Sequence, residues 1–314
     1  MASIETVTGA VDASDLGTTL IHEHLRTRSE SVSFAFPRLY DEDEERARAI
    51  DWVSQAMERG VKTICDPTVM ELGRDVRLQA HVAEQTGLQL VVATGIYTYH
   101  YLPEHFKNRE IEYMTEQFVR DVEEGIQGTD VKAAFIKCCT DQQGVTPDVE
   151  KVLRAAARAS KQTGRPIMTH SHPQSGAGIA QMGIFLEEEV DPQKVMIGHT
   201  GDTDSIHYIE TLLAMGPWIG MDRYGLDILL PTERRNWTVT ELCERGYSDR
   251  MFLSQDACCT LDWYPRELIE QMAPNWHMTF VLDEVVPTLK EAGVTDDQVT
   301  TMMEENPRAW LAGE

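Results

Sequence analysis

Four histidines and one aspartate each follow a short apolar run of the chain. His22 and His24 lie in Ile-His-Glu-His, His170 ends Ile-Met-Thr-His, His199 ends Met-Ile-Gly-His, and Asp256 ends Ser-Gln-Asp. Because side chains alternate along a strand, two histidines two residues apart point the same way. Neutral imidazole and carboxylate together suit borderline divalent metals such as zinc, iron, cobalt or manganese. A single histidine is usually structural, but five donors after four such runs predict a metal site.

Lys137 ends another apolar run, Ala-Phe-Ile-Lys. Taken alone, a lysine in this position extends its ammonium group toward solvent along an apolar stem. Beside a metal site it has a second use, because a lysine whose pKa is lowered by burial can react with CO₂ to form a carbamate. The carbamate replaces a cation by a two-oxygen anion that is able to bridge two metal ions.

The apolar runs before these residues belong to a set of eight, separated by tens of residues. Continuous apolar, β-branched runs of this length are typical of strands buried on both faces of a parallel sheet. The eight predicted strands are Thr18–His22, Val61–Cys65, Leu88–Thr94, Ala133–Lys137, Pro166–His170, Lys194–Gly198, Trp218–Met221 and Met251–Ser254.

Helical stretches separate the predicted strands. Thr146 favours the start of one helix, and Thr295 with Gln298 has the pattern of a capping box. Eight strand-then-helix units predict a single α/β domain over residues 1–314, a (β/α)₈ TIM barrel with its active site at the C-terminal ends of the strands. Residues 3–13 are expected to form a short hairpin across the bottom of the barrel. A doubly wound open sheet fits eight regular units less well.

Composition and charge exclude some classes of binding partner. Lys and Arg number 28 against 52 Asp and Glu, a net charge of −24, which repels nucleic acid and acidic membrane surfaces. The first residues show no secretory signal, and no apolar stretch approaches the roughly 18 residues of a membrane span. The six cysteines include no Cys-x-x-Cys, so we expect reduced thiols in a cytoplasmic protein.

The order of these residues along the barrel resembles the binuclear amidohydrolase superfamily, and more narrowly the phosphotriesterase-like lactonases. Similar segments lie at residues 16–24, 72–75, 94–97, 197–204, 221–227, 256–259 and 305–307. The resemblance implies that His22, His24 and Asp256 hold the more buried of two divalent metal ions. It also implies that His170 and His199 hold the more exposed ion. Carboxylated Lys137 and a hydroxide would bridge the two metals, and Asp256 would carry a proton from that hydroxide to the leaving oxygen.

Two further residues favour a lactonase by this resemblance. Tyr97, just past the third predicted strand, is a tyrosine in the lactonases and an apolar aromatic in the larger phosphotriesterases. Its phenol would bond the hydroxide or orient the attacked ester, although packing beneath a loop is the simpler interpretation. Arg223, at the end of the seventh strand, also fits the lactonase pattern. A structural ion pair between Arg223 and Asp202 is the alternative to a catalytic role.

The expected substrate pocket is apolar, which suits a neutral lactone with a hydrophobic tail, such as an N-acyl homoserine lactone in quorum quenching. Its expected lining is Leu72, Tyr97, Tyr99, Ile228, Leu229, Cys258 and Trp263. A promiscuous organophosphate triesterase activity is implied by the same resemblance, and so is a homodimer. The alternatives are a dedicated phosphotriesterase or carboxylesterase and, more distantly, a barrel that binds metal without catalysis.

Overall fold

A computed structural model describes residues 2–313, and its centre is a parallel sheet whose strand order follows the chain. A separate antiparallel pair, β1 and β2, precedes the sheet. The strands are β1 Ser3–Thr6, β2 Gly9–Asp12, β3 Thr19–Leu20, β4 Thr63–Asp66, β5 Gln89–Gly95, β6 Phe135–Cys139, β7 Ile167–His170, β8 Val195–Ile197, β9 Trp218–Met221 and β10 Met251–Leu253.

The sheet closes into a nearly complete barrel through the segments that follow its first and last strands. After β3 the chain pairs on both sides: Glu23 N donates to Cys65 O at 3.1 Å, and His24 N donates to Ala257 O at 2.8 Å. Asp256 N donates back to His22 O at 2.9 Å. The first barrel strand is therefore shorter than the predicted Thr18–His22. The residues that follow it bond on one side to β4 and on the other side to the segment after β10.

Helices alternate with the strands as predicted for a TIM barrel. The α-helices are α1 Glu30–Ala35, α2 Glu42–Glu58, α3 Val76–Thr86, α4 Glu104–Lys107, α5 Ile111–Glu123, α6 Pro147–Thr163, α7 Ala177–Glu187, α8 Ile206–Leu213, α9 Thr232–Glu244, α10 Arg266–Met272, α11 Val286–Glu291, α12 Asp296–Thr300 and α13 Asn306–Ala312. The predicted caps are confirmed. The Thr146 side chain accepts from Val149 N at the start of α6, and Thr295 and Gln298 form the capping box of α12.

The predicted hairpin is β1 with β2, and it lies at the N-terminal ends of the strands. Val7 N donates to Leu90 O at the start of β5, and the buried Ile4 packs in a cluster with Trp310. The Trp310 ring of α13 lies 5.6 Å from the Phe135 ring and 6.1 Å from the Phe252 ring inside the barrel. Apolar side chains thus fill the bottom of the barrel and leave the polar residues to its opposite end.

None of the helices within residues 2–313 has the length and apolar character that crossing a membrane requires. All six cysteines are free thiols, and five of them are buried. Free thiols agree with the expectation from the cysteine spacing.

Candidate metal centre and substrate cavity

The predicted metal ligands meet at the C-terminal mouth of the barrel. His22, His199 and Asp256 offer ligand atoms that all lie within 4.8 Å of one another. The carboxylate of Asp256 is central, since its Oδ1 lies 3.2 Å from His22 Nε2 and 3.2 Å from His24 Nε2. Its Oδ2 lies 3.8 Å from His199 Nε2. The His170 ring centroid lies 4.5 Å from that of His199.

Lys137 joins this group from inside a strand. The sequence predicted that it ends the fourth barrel strand, but β6 continues to Cys139, because both vicinal cysteines pair with β7. Lys137 is therefore deeper than expected, with only 1% of its surface exposed and its Nζ 3.3 Å from His22 Nε2. Burial lowers the pKa of its amine, and none of the carboxylates in residues 2–313 pairs with it within 4.0 Å. We refer to His22, His24, Lys137, His170, His199 and Asp256 as the cavity floor.

Asp222 orients two of the histidines. Its Oδ2 lies 2.7 Å from His22 Nδ1, and its Oδ1 lies 3.2 Å from His199 Nδ1 and accepts from His199 N at 2.7 Å. Burial alone would raise the pKa of Asp222, but the two imidazoles hold it well below its usual value. With Nδ1 engaged, each ring presents Nε2 to the cavity, as is usual for a metal-binding histidine whose other nitrogen is fixed by a carboxylate.

The remaining two histidines have partners of the same kind. His24 Nδ1 lies 2.6 Å from Thr68 Oγ1, which donates to Asp66 Oδ1. His170 is turned the other way: its Nε2 lies 3.0 Å from Asp141 Oδ2, which leaves Nδ1 facing the cavity. Burial lowers the pKa of His170 to about 4, so its ring is neutral near pH 7.

These supporting residues were not predicted from the sequence. Asp66 and Asp222 do follow apolar runs, which is the one signal that was available; Asp222 even precedes Arg223 directly. Asp141 lies beyond β6 in a polar loop, and nothing in its spacing points to His170.

The backbone at two floor residues is held in an unfavourable conformation. His199 has φ +60° and Asp256 has φ +54°, in the left-handed region that side chains other than glycine rarely adopt. Such conformations cost on the order of 1–3 kcal/mol and cluster at functional sites. On either side of Asp256, Gln255 N and Ala257 N donate to the buried Glu23 side chain, which holds the backbone in this conformation.

Arg223 and Tyr97 border the floor. Arg223 Nε donates to Asp256 Oδ2 at 2.9 Å and its Nη1 donates to Asp202 Oδ2 at 3.1 Å, so it does form the ion pair with Asp202 that the sequence suggested. The Tyr97 phenol oxygen lies 3.2 Å from His170 Nδ1. Burial raises the pKa of Tyr97 well above its usual value, so the phenol keeps its proton.

Above the floor is a cavity of about 380 Å³ with a mostly apolar wall. Of the predicted lining residues, Leu72, Tyr97, Ile228, Leu229, Cys258 and Trp263 line it. Tyr99 does not: the chain bends at residues 99 and 100, and the Tyr99 ring lies edge-on to Tyr97 at 5.8 Å and 6.4 Å from the His170 ring. We call the following residues the apolar wall: Leu72, Leu226, Ile228, Leu229, Leu261, Trp263, Tyr264, Leu268, Ile269, Met272, Ala273 and Trp276.

The donor set fits divalent metal ions. The Nε2 atoms of His22, His24 and His199 face the Asp256 carboxylate, His170 Nδ1 faces the same cavity, and every outer imidazole nitrogen has a fixed partner. The buried lysine fits as well, since a desolvated amine without a carboxylate partner favours its neutral form. A barrel with this group at its C-terminal mouth has the architecture of a metal-dependent hydrolase.

Comparison with known proteins gives the family. The model of the phosphotriesterase family matches residues 2–311. The chain is 48% identical to aryldialkylphosphatase of Saccharolobus solfataricus over 305 residues, which are 96% of this chain and 97% of that protein. It is 46% identical to a phosphotriesterase homology protein of Mycobacterium tuberculosis over 316 residues, 98% of this chain and 97% of that protein.

A solved structure agrees with these sequence matches. The phosphotriesterase from Mycobacterium tuberculosis superposes with a TM-score of 0.95 at 45% identity, covering 98% of each chain. The chain belongs to the phosphotriesterase family and is a hydrolase. The fold expected from the sequence, a TIM barrel with an N-terminal hairpin, is confirmed.

Proposed function

We propose that this protein is a metal-dependent lactonase that hydrolyses lactones with alkyl substituents, including N-acyl homoserine lactones, and that it also hydrolyses organophosphate triesters. The observation that carries the proposal is the position of Tyr97. Its protonated phenol borders both a metal-ligand histidine and the apolar wall. A group at this point is able to bond an ester oxygen while the alkyl part of the substrate lies against the wall.

The proposed cofactor is a pair of divalent ions, zinc or else iron, cobalt or manganese. His22, His24 and Asp256 would hold one ion and His170 and His199 the other, with Lys137 between them as a carbamate. The carbamate forms when the neutral amine adds CO₂ and loses one proton, which makes one N–C bond. When bound, two such ions supply a hydroxide nucleophile near neutral pH and polarise the oxygen of the attacked group.

Side chains of the protein would transfer the proton, hold the reacting groups in position and exclude water. Asp256 is placed to accept the proton of the nucleophile and to pass it to the leaving alkoxide. Arg223 bonds Asp256 and Asp202 at once, so it holds the carboxylate in position and adds positive charge beside the developing oxyanion. The apolar wall excludes water from the alkyl side of the substrate.

A dedicated phosphotriesterase is the second candidate. It is favoured by the relative in Saccharolobus solfataricus that is named aryldialkylphosphatase. Both candidate functions use the same cavity floor, and they differ in whether the reaction requires the Tyr97 phenol. A triester does not require the phenol of Tyr97, because its aryloxide leaves readily.

A substrate panel tests the proposal. Lactones of several ring sizes and tail lengths are compared with paraoxon in a pH-indicator assay, before and after chelation and again after adding back Zn²⁺, Co²⁺, Mn²⁺ or Fe²⁺. We expect the highest kcat/KM on a lactone with an alkyl tail, loss of all activity on chelation, and recovery with metal. Faster turnover of paraoxon than of every lactone would favour the second candidate, and full activity in protein that elemental analysis finds metal-free would contradict both.

We also propose that the protein is a homodimer. Large apolar side chains on α1 and just after it are exposed, with Phe34 91% exposed and Leu39 64% exposed, although contiguous exposed apolar surface is usually covered by a partner. Light scattering at working concentration should give twice the chain mass of 35.5 kDa, and the mass of a single chain would contradict the proposal.

A further inference from the structure

One part of the apolar wall consists almost entirely of residues that are not buried. This wall segment, residues 263–275, follows β10 and contains α10, and among its residues only Ala273 is buried. Yet it supplies Trp263, Leu268 and Met272 to the substrate cavity. Since little of the segment is buried, its position depends on the contacts at its two ends and on the exposed ion pair between Arg266 and Glu44 of α2.

The end near residue 276 is tied to the barrel. Trp276 Nε1 donates to Gln255 O at 2.9 Å, and the Gln255 side chain donates to Met278 O at 2.8 Å. These bonds connect the far end of the wall segment to the strand end that also bears Asp256.

The other end is tied to a different loop. Both oxygens of Asp262 accept from Ser29 N at 2.9 Å, Oδ1 accepts from Ser29 Oγ at 3.1 Å, and Oδ2 accepts from the Tyr40 phenol at 2.7 Å. Leu261 and Trp263, the two neighbours of Asp262, both line the cavity, and the Trp263 ring lies 6.3 Å from the Tyr97 ring. This carboxylate, together with the backbone bond from Asp262 N to Thr27 O at 3.3 Å, fixes the chain between two wall residues.

Tyr40 is itself held firmly. The Arg28 guanidinium lies 4.2 Å from the centre of the Tyr40 ring and pairs with Glu42 at 2.7 Å and with Glu45. Arg28 is buried, so this cation is fixed by the start of α2 rather than free in solvent. Burial and the Asp262 carboxylate raise the pKa of Tyr40 to about 12, which keeps its hydrogen on the phenol for donation.

We propose that Tyr40 and Asp262 are specificity-determining positioning residues. Neither lines the substrate cavity, and they act by holding Leu261 and Trp263 at the width that suits a substrate with an alkyl tail. The proposal rests on the proposed lactonase function for the identity of the substrate, but the clamp itself is testable without any substrate.

Tyr40→Phe tests the clamp, because it removes one hydrogen bond and keeps the ring beneath Arg28. Hydrogen exchange of the backbone amides of residues 261–273 should become faster, while that of β6 and β7 stays as in the wild type. The matched control is Tyr113→Phe on α5, which removes a phenol 3.2 Å from His105 Nε2 on α4; neither residue lines the cavity. Unchanged exchange over residues 261–273 in Tyr40→Phe would overturn the proposal.

The kinetic arm compares a long-tailed lactone with γ-butyrolactone, which has no alkyl tail to lie against the wall. In Tyr40→Phe we expect the ratio of their kcat/KM values to fall roughly threefold or more, through KM for the long-tailed substrate. Equal losses on both substrates would indicate a merely structural role and overturn the proposal. If the wild type hydrolyses no lactone, the proposed function fails while the exchange result still decides the clamp.

A double mutant adds a check on mechanism. Asp262→Asn removes the charge that Ser29 and Tyr40 share, and should reduce the same ratio. If the two residues act through one bond, Tyr40→Phe combined with Asp262→Asn should have no larger effect than Asp262→Asn alone. Additive losses would show that they act separately, against the proposal.

Discussion

The floor and the wall of the cavity are built in opposite ways. Every floor residue is buried, and apart from Lys137 each has a side-chain nitrogen or oxygen fixed by Asp222, Asp141, Thr68 or Arg223. The wall is made of loop residues and of side chains from α10, several of them exposed, including Ile228, Leu229, Trp263 and Tyr264. A floor of fixed donors suits chemistry that needs constant geometry, whereas a wall with few anchors lets substrate preference change without disturbing that chemistry.

The largest effect should come from the centre of the floor. Lys137→Ala removes the proposed bridge, so we expect loss of metal and of activity on both lactones and paraoxon. Short carboxylic acids such as acetate should restore part of each by supplying oxygens in the space of the missing side chain. The control is Lys161→Ala, an exposed lysine paired with Glu189. Two metals per chain and full turnover in Lys137→Ala, measured by elemental analysis and initial rates, would show that Lys137 is not the bridge.

A smaller loss of metal affinity and activity is expected for a residue that contacts the floor histidines from behind. Asp222→Asn keeps the size of the side chain but removes the charge that holds His22 and His199, so metal affinity or activity should fall about ten- to hundredfold. The two substrates should lose activity equally, because both depend on the floor. Asp204→Asn, at an exposed ion pair with Arg234, serves as the control. Measuring activity while metal is added back would distinguish weaker metal binding from unfolding. A wild-type metal affinity in Asp222→Asn would show that Asp222 does not support the site.

Tyr97 stands where floor and wall meet, and it should distinguish substrates. Tyr97→Phe loses one hydrogen bond to the ester, on the order of 1–3 kcal/mol, or roughly ten- to hundredfold in lactone turnover. Paraoxon hydrolysis should fall much less, so the ratio of the two activities drops. Tyr101→Phe, an exposed tyrosine nearby, is the control. Equal losses on both substrates would make Tyr97 a general packing residue, and no loss on lactones would remove the main argument for a lactonase.

The smallest effect belongs to the wall. Leu229 is 47% exposed, so Leu229→Ala removes only part of an apolar contact, about 1 kcal/mol or a few-fold in kcat/KM for long-tailed lactones. The loss should appear in KM, and γ-butyrolactone should be unaffected. Leu186→Ala on α7, at 44% exposure, controls for a surface leucine far from the cavity. A similar loss on both lactones would contradict the division into floor and wall.

The repeating architecture and the residues that end its strands could be predicted from local patterns in the sequence. Apolar runs and caps such as Thr146 are local signals, so the eight strands and their helices were predicted with ends that differ by a few residues. The side chains that meet at the mouth, including His170 and Asp256, followed from the same rule, because the C-terminal ends of parallel strands share one edge.

The residues that support those side chains and the contacts that hold the wall are visible in the folded structure alone. His22 and Asp222 are 200 residues apart, and Tyr40 and Asp262 are 222 apart. Their contacts arise from barrel closure and from loops that cross between units, which no local pattern records. The same reason explains Tyr99, which was expected to line the cavity but lies where the chain bends, outside the lining. Short-range periodicity determines the direction of a side chain within a strand, but beyond the strand its position depends on distant parts of the chain.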